Sequence, residues 1–182
     1  MTTFRGIQFE VAGTPHPVPA AELEAVERQL RCTFPDDYRT FVLQFGPGEF
    51  RDLCFKVMSP SAIARTTWTD RSRLREHWFW DASPEIWTQE QAAAAIACFD
   101  GEGDDIRFHP SNPSEMYFLP HEENVIFRAE SLAELLDVTR RYCGLSPRAL
   151  TFLPRGAEPD GSPNAGPARP LGVSGVTGGA HR

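Results

Sequence analysis

Four carboxylates fall within six residues in the run Asp100-Gly101-Glu102-Gly103-Asp104-Asp105. Oxygen-rich clusters of this kind are what hard cations such as Ca²⁺ and Mg²⁺ require. The run departs from an EF-hand loop: counted from Asp100, its sixth position is Asp105 rather than glycine and its twelfth is Ser111 rather than glutamate. Acids interleaved with glycines also suit a hairpin turn, with Gly101 and Gly103 supplying positive φ, and they make an acidic surface for a protein partner. The turn reading ranks first, the contact surface second and a metal site third. His109 and His121 flank a pair of expected strands, and Glu122 and Glu123 follow. A His/Glu hydrolytic site would use such residues, but the chain has no His-Glu-x-x-His, no Gly-x-Ser-x-Gly and no catalytic-type Cys–His context. Gly46-Pro47-Gly48 is a helix stop, and Gly101-Glu102-Gly103 is too short and too acidic to cradle phosphate. No catalytic residue, cofactor or metal is assigned.

The elements that position these groups are legible from periodicity. Leu23, Val26 and Leu30 share one helical face, supported by the i,i+4 pairs Glu24–Arg28 and Glu27–Arg31. A second helix opens with Pro35 in its first turn and with Asp36 and Asp37 at the positive end of its dipole. Tyr38, Phe41, Val42 and Phe45 form its apolar face, and Gly46-Pro47 ends it. Ile7, Phe9 and Val11 alternate as a short strand, and Leu53–Met58 reads as a buried one. Ser59-Pro60 starts a third helix that runs into the segment Thr66–Trp80. Ala94–Phe99, Ile106–His109, Met116–Leu119 and Val125–Phe127 read as short antiparallel strands with tight connections. Ser131-Leu132-Ala133-Glu134 is a capping box opening a last helix, which ends at Gly144. Ala149–Leu153 adds a final apolar contact. Residues 154–182 are rich in Gly, Pro, Ala and Ser. They offer too little apolar burial to offset the entropy of ordering, so they are expected to form a disordered tail behind a single domain of residues 1–153.

The chain has 182 residues and a formal net charge of −7, and Lys56 is its only lysine. An acidic domain without a long basic run is poorly suited to nucleic acid, whose phosphates need clustered Lys and Arg. It is better suited to a basic protein, since complementary fields speed encounter. Arg65, Arg71, Arg73 and Arg75, interleaved with Trp68, Trp78, Phe79, Trp80 and Trp87, could stack on bases. The stronger reading is that the tryptophans pack on the core and the arginines form a solvated face. Cys32, Cys54, Cys98 and Cys143 make no close pair and sit in apolar segments, which argues against disulfides and zinc. The N-terminus lacks signal-peptide character and no stretch reaches membrane-spanning length. A reducing cytoplasm is the expected location.

The order of these features resembles the SUKH superfamily, the Smi/Knr-like domains. The carrying residues are Phe34-Pro35-Asp36-Asp37-Tyr38-Arg39-Thr40-Phe41 followed by Gly46, then Val57-Met58-Ser59-Pro60, then Phe99-Asp100-Gly101-Glu102-Gly103-Asp104, then Tyr117 with His121-Glu122, and the final helix Ser131–Tyr142. The resemblance covers Ala20–Tyr142. It does not account for the Arg/Trp-rich segment Thr66–Trp87 or for the tail. It implies an α+β fold, with an antiparallel sheet of about five or six strands flanked by helices. It also implies an immunity protein, a non-enzymatic monomer that binds a toxin domain, often a nuclease or deaminase, and blocks it. A regulatory scaffold with endogenous partners is the first alternative. A metal-dependent hydrolase using Asp100, Asp104 and His109 is the second. The expected toxin contacts are Asp100, Glu102, Asp104, Asp105, Glu122 and Glu123, on two turns sharing one edge of the sheet, with Trp78 or Trp80 as an aromatic anchor.

Overall fold

A buried arginine and two unlike hydrophobic clusters organise the molecule around one sheet. The structure is a computed structural model that describes residues 1–53, 55–101, 104–145 and 150–156. Its elements are β1 (Thr2–Phe4), β2 (Ile7–Val11), α1 (Ala20–Leu30), α2 (Asp36–Gln44), β3 (Gly48–Phe50), β4 (Phe55–Val57), α3 (Pro60–Glu76), α4 (Gln89–Ala94), β5 (Ile96–Asp100), β6 (Asp105–His109), β7 (Asn112–Leu119), β8 (Phe127–Ala129), α5 (Leu132–Tyr142) and β9 (Leu150–Pro154). The nine strands form one sheet in the order β1-β2-β9-β3-β4-β5-β6-β7-β8. All neighbours are antiparallel except β2 and β9, which run parallel. The fold is therefore α+β, with more strands than the five or six expected.

The extra strands are the ones that local pattern could not show. β1 and β3 are three residues long, too short to display alternation. Ala149–Leu153, expected as a last apolar contact, belongs largely to β9, which lies inside the sheet between β2 and β3 and runs past residue 153. Phe152 is fully buried there, 5.0 Å from Phe41 and 5.1 Å from Phe50 between ring centroids.

The first core cluster joins this half of the sheet to α2 through Phe4, Phe9, Phe41, Phe45, Phe50 and Phe152; α1 adds Leu23 and Val26 to it, and α5, which packs on β7 and β8, adds Leu132, Leu135 and Leu136. The second cluster explains the Arg/Trp-rich segment. Met116 and Phe118 of β7 enter the first cluster, while Tyr117 and Leu119 enter the second, as strand alternation requires. There they meet Leu74, Trp80, Trp87, Ala92 and Ala93, so the end of α3, the following loop and α4 cover the opposite face of β5–β7. Trp87 stacks on Tyr117 at 4.0 Å, and the Trp80 indole N–H donates to the Pro120 carbonyl at 2.7 Å. Trp68 does not follow the expectation of core packing: it is 71% exposed.

Several expected caps take a different form. Pro35 occupies the cap before α2 rather than its first turn. Glu27 does not turn to Arg31; it pairs with Arg39 of α2 and accepts from the Phe34 N–H at 2.8 Å, fastening the α1–α2 connection. Asp37 reaches beyond its own helix, pairing with Arg5 and accepting the Leu132 N–H of α5 at 2.7 Å. Ser131 caps α5 through the Glu134 N–H, but Glu134 returns its bond to the Glu130 N–H. Gly101 does not adopt the positive φ expected of it, and Gly103 lies outside the described residues.

Gly46 is left-handed with φ 78°, and a Cβ there would lie 1.9 Å from the His16 carbonyl oxygen. Gly144 has φ 65° and open space around it. Gly144→Ala should therefore cost about 1 kcal/mol, the backbone term alone, whereas Gly46→Ala should cost about 3 kcal/mol or more because the clash adds to it. Urea unfolding of the two variants checks the difference.

Candidate partner-binding surface

The two acidic turns meet at one end of the sheet. Asp105 pairs in register with Asp100 on one side and with Leu119 on the other, so the β5–β6 turn and the β7–β8 connection are neighbours. Asp104 links them: its Oδ1 accepts the His121 backbone N–H at 2.9 Å and lies 2.7 Å from His121 Nδ1. A third segment joins from the other face. The Ala82 N–H donates to the Asn124 carbonyl at 3.2 Å, and the Ile126 N–H donates to Ser83 Oγ at 3.0 Å. Hydrogen bonds thus hold residues 78–83 along residues 120–126.

The eight expected contact residues divide sharply within this frame. Glu122 is 76% exposed by its side chain, with only a 3.8 Å approach to His121, and Glu123 is exposed as well. Asp100 is 51% exposed, 3.7 Å from Lys56, and partial burial raises its carboxyl above the usual carboxylate range. Asp104 is mostly covered and occupied by His121. Asp105 is removed from the contact set, because it faces inward and is shared by Arg73 and Arg107. Trp80 is removed too: at 2% exposure, with its N–H bonded, it is a core residue and not an anchor. Trp78 is half-buried against Trp80, at 5.5 Å. Glu102 lies outside the described residues. The aromatic group that the surface does present is Phe79, 57% exposed. Its position between two tryptophans concealed it, since three adjacent aromatics give no phase to say which one faces out.

Arg107 is the functional-looking residue that sequence reasoning passed over. It is fully buried on β6, with one Nη 3.1 Å from Asp105 and 3.8 Å from Asp70 of α3, and the other donating to the Ala95 carbonyl at 3.4 Å. Among the described residues its Nε finds no hydrogen-bond partner. Burial raises the Asp70 carboxyl above its ordinary range against the pull of Arg107. Arg73 of α3 completes the cluster through Asp105. This network fastens α3 across the sheet, behind the acidic turns.

The histidines are tied into turns. His109 Nδ1 lies 2.6 Å from Ser111 Oγ and accepts the Ser111 N–H, a local loop contact without a carboxylate to orient the ring. His121 and Asp104 resemble two members of a triad, but the other ring nitrogen faces Glu122 and not a nucleophile. Among the described residues no group of three or more His, Cys, Asp and Glu side chains is placed to hold a metal ion. A groove of about 350 Å³ lies beside Asp100, between β4 and the start of α3, lined by Lys56, Arg65 and Arg155. Among the described residues no helix is long and apolar enough to cross a membrane.

The fold is α+β, and the described part of its acidic edge is held together by hydrogen bonds to Asp104, Ser83 and Asn124. A family model for the SMI1 / KNR4 family (SUKH-1) matches residues 17–138. The chain belongs to that family, which is known for immunity-type proteins and whose members are generally non-enzymatic binding domains. A search of curated proteins finds no match. The match begins just before α1 and stops at residue 138, inside α5, so it does not include β9, which lies inside the sheet between β2 and β3.

Arg107→Ala leaves Asp70 and Asp105 partly buried without their shared cation. It should lower stability by about 3–5 kcal/mol, as breaking a buried ion pair does. Asp70→Asn should cost less, because Asp105 still compensates Arg107. Urea denaturation of both variants tests the order.

Proposed function

We propose that this chain is an immunity protein that binds a toxin domain, of nuclease or deaminase type, and neutralises it by masking its active or substrate-binding surface. The observation that carries the proposal is the edge with exposed Asp100, Glu122 and Glu123, against which hydrogen bonds from Trp80 and Ala82 and to Ser83 hold the segment that carries the exposed Phe79. Enzymes acting on nucleic acids carry basic clefts, and an acidic surface on a chain of net charge −7 is complementary to such a cleft. The hydrogen bonds accepted by Asp104, Ser83 and the Asn124 carbonyl hold the edge in place before binding, which limits the entropy lost on association. An aromatic side chain at the margin of a charged patch is the usual composition of an energetic centre. The reading requires no catalytic residue and no cofactor, and it places the protein in the cytoplasm, where an incoming toxin would act.

The test begins with affinity capture from the native host and identification of what is retained. A tight partner that kills cells when expressed alone, and is tolerated when co-expressed with this chain, supports the proposal. Several non-toxic endogenous partners would favour a regulatory scaffold instead. With the captured toxin, the triple reversal Asp100→Lys, Glu122→Lys, Glu123→Lys should slow association about tenfold or more and flatten its salt dependence. Phe79→Ala should act mainly on dissociation, weakening binding by about 2 kcal/mol. Stopped-flow association across a salt series reads both; kinetics unchanged by the reversal would remove this edge from the interface.

A further inference from the structure

We propose that the outer face of α3 is a second docking surface, built to receive an acidic protein segment whose carboxylates straddle an apolar side chain. The 17-residue helix turns Pro60, Ile63, Thr67 and Leu74 into the structure. Three more of its side chains are held by the body of the protein: Asp70 by Arg107, Arg73 by Asp105, and Arg71 by the Ala94 carbonyl at 3.3 Å. Ser61, Thr69 and Ser72 are exposed small polar residues, and among them stand the exposed Arg65, Trp68 and Arg75, spaced three and seven residues apart. That spacing keeps them in one stripe along the helix.

Each member of the stripe is anomalous for a plain solvated face. Trp68 is 71% exposed, and Arg71 holds its guanidinium 5.6 Å from the ring centroid, so the indole is braced without being covered. Arg65 and Arg75 have no ion-pair partner among the described residues, although the chain carries 25 acidic against 18 basic side chains. The exposed acid of the helix, Glu76, adjoins Arg75 in sequence, an offset at which helical side chains do not face one another. Tryptophan and arginine are the residue types that dominate binding energy at protein interfaces.

The charge pattern selects the partner. Two unpaired arginines would neutralise about two phosphates, too few to hold a polyanion against a chain of net charge −7. They suffice for two carboxylates. Arg65 and Arg75 stand about 15 Å apart along the helix axis, which suits acids four residues apart on one face of an extended strand, a span of about 13 Å. An apolar side chain between those acids would meet Trp68. The surface lies on α3 and uses none of Asp100, Glu122, Glu123 or Phe79, so this inference and the immunity reading can fail separately.

The test uses the full chain and a fluorescein-labelled decapeptide of Ser and Gly, with Glu at positions 3 and 7 and Leu at position 5, all on one face when extended, titrated by fluorescence anisotropy. Saturable binding is expected, at least tenfold weaker for the same peptide with Gln in place of both Glu. Trp68→Ala and the pair Arg65→Glu, Arg75→Glu should each weaken binding at least tenfold with an unchanged far-UV circular dichroism spectrum, while Glu122→Lys, Glu123→Lys should not weaken it. No binding of the Glu peptide, or binding that survives Trp68→Ala and the arginine reversals, overturns the proposal. Preference for a decathymidylate at the same residues overturns it in favour of nucleic acid.

Discussion

A guanidinium cannot be taken fully out of water unless its charge and its N–H groups are met, and Arg107 imposes that requirement on the centre of the sheet. Asp105 is drawn inward from the acidic turn to meet it, and Asp70 is drawn down from α3. Arg73 then follows Asp105. The result is a helix fixed in rotation, because one of its faces is committed to the cluster. The opposite face is left with Arg65, Trp68 and Arg75 unspent. The same commitment sorts the acidic turn, taking Asp105 out of the surface and leaving Asp100 in it.

Around that cluster the sheet carries two unlike covers. One face of it is sealed by phenylalanine-rich packing against α1, α2 and α5. On β5–β7 the other face is closed by the loop after α3 and by α4, through Trp80, Trp87 and small alanines. The second cover brings the segment that carries the exposed Phe79 against the β7–β8 connection, through Trp80, Ala82 and Ser83. Packing, hydrogen bonding and charge thus meet at one end of the sheet, and the binding surface there is a consequence of how the second face is closed.

Much of this was legible in the residues. The apolar faces of α1, α2 and α5, the serine cap before α3 and the strands from β5 to β7 follow from periodicity and capping chemistry. The adjacency of the two acidic turns was also expected, and the Asp104–His121 contact shows it. What escaped was nonlocal. β9 joins the sheet in parallel beside β2, a partner far away in the chain, and a short terminal apolar run carries no sign of where it will dock. Arg107 alternates with Ile106 and Phe108 as a solvent-facing residue would, and only the second cover reveals that its face is buried. Trp78, Phe79 and Trp80 differ in burial for the same reason: their fates are set by Pro120 and Tyr117, not by their own spacing.

The central claim is that the acidic edge beside Phe79 is where the partner binds. Hydrogen–deuterium exchange of the chain, alone and in complex with its captured partner, tests it most directly. The account predicts that protection on binding concentrates in peptides covering residues 77–82, 99–105 and 119–125. Protection confined to α1, α2 or the β1–β2 hairpin, with these three segments exchanging as in the free protein, would contradict it.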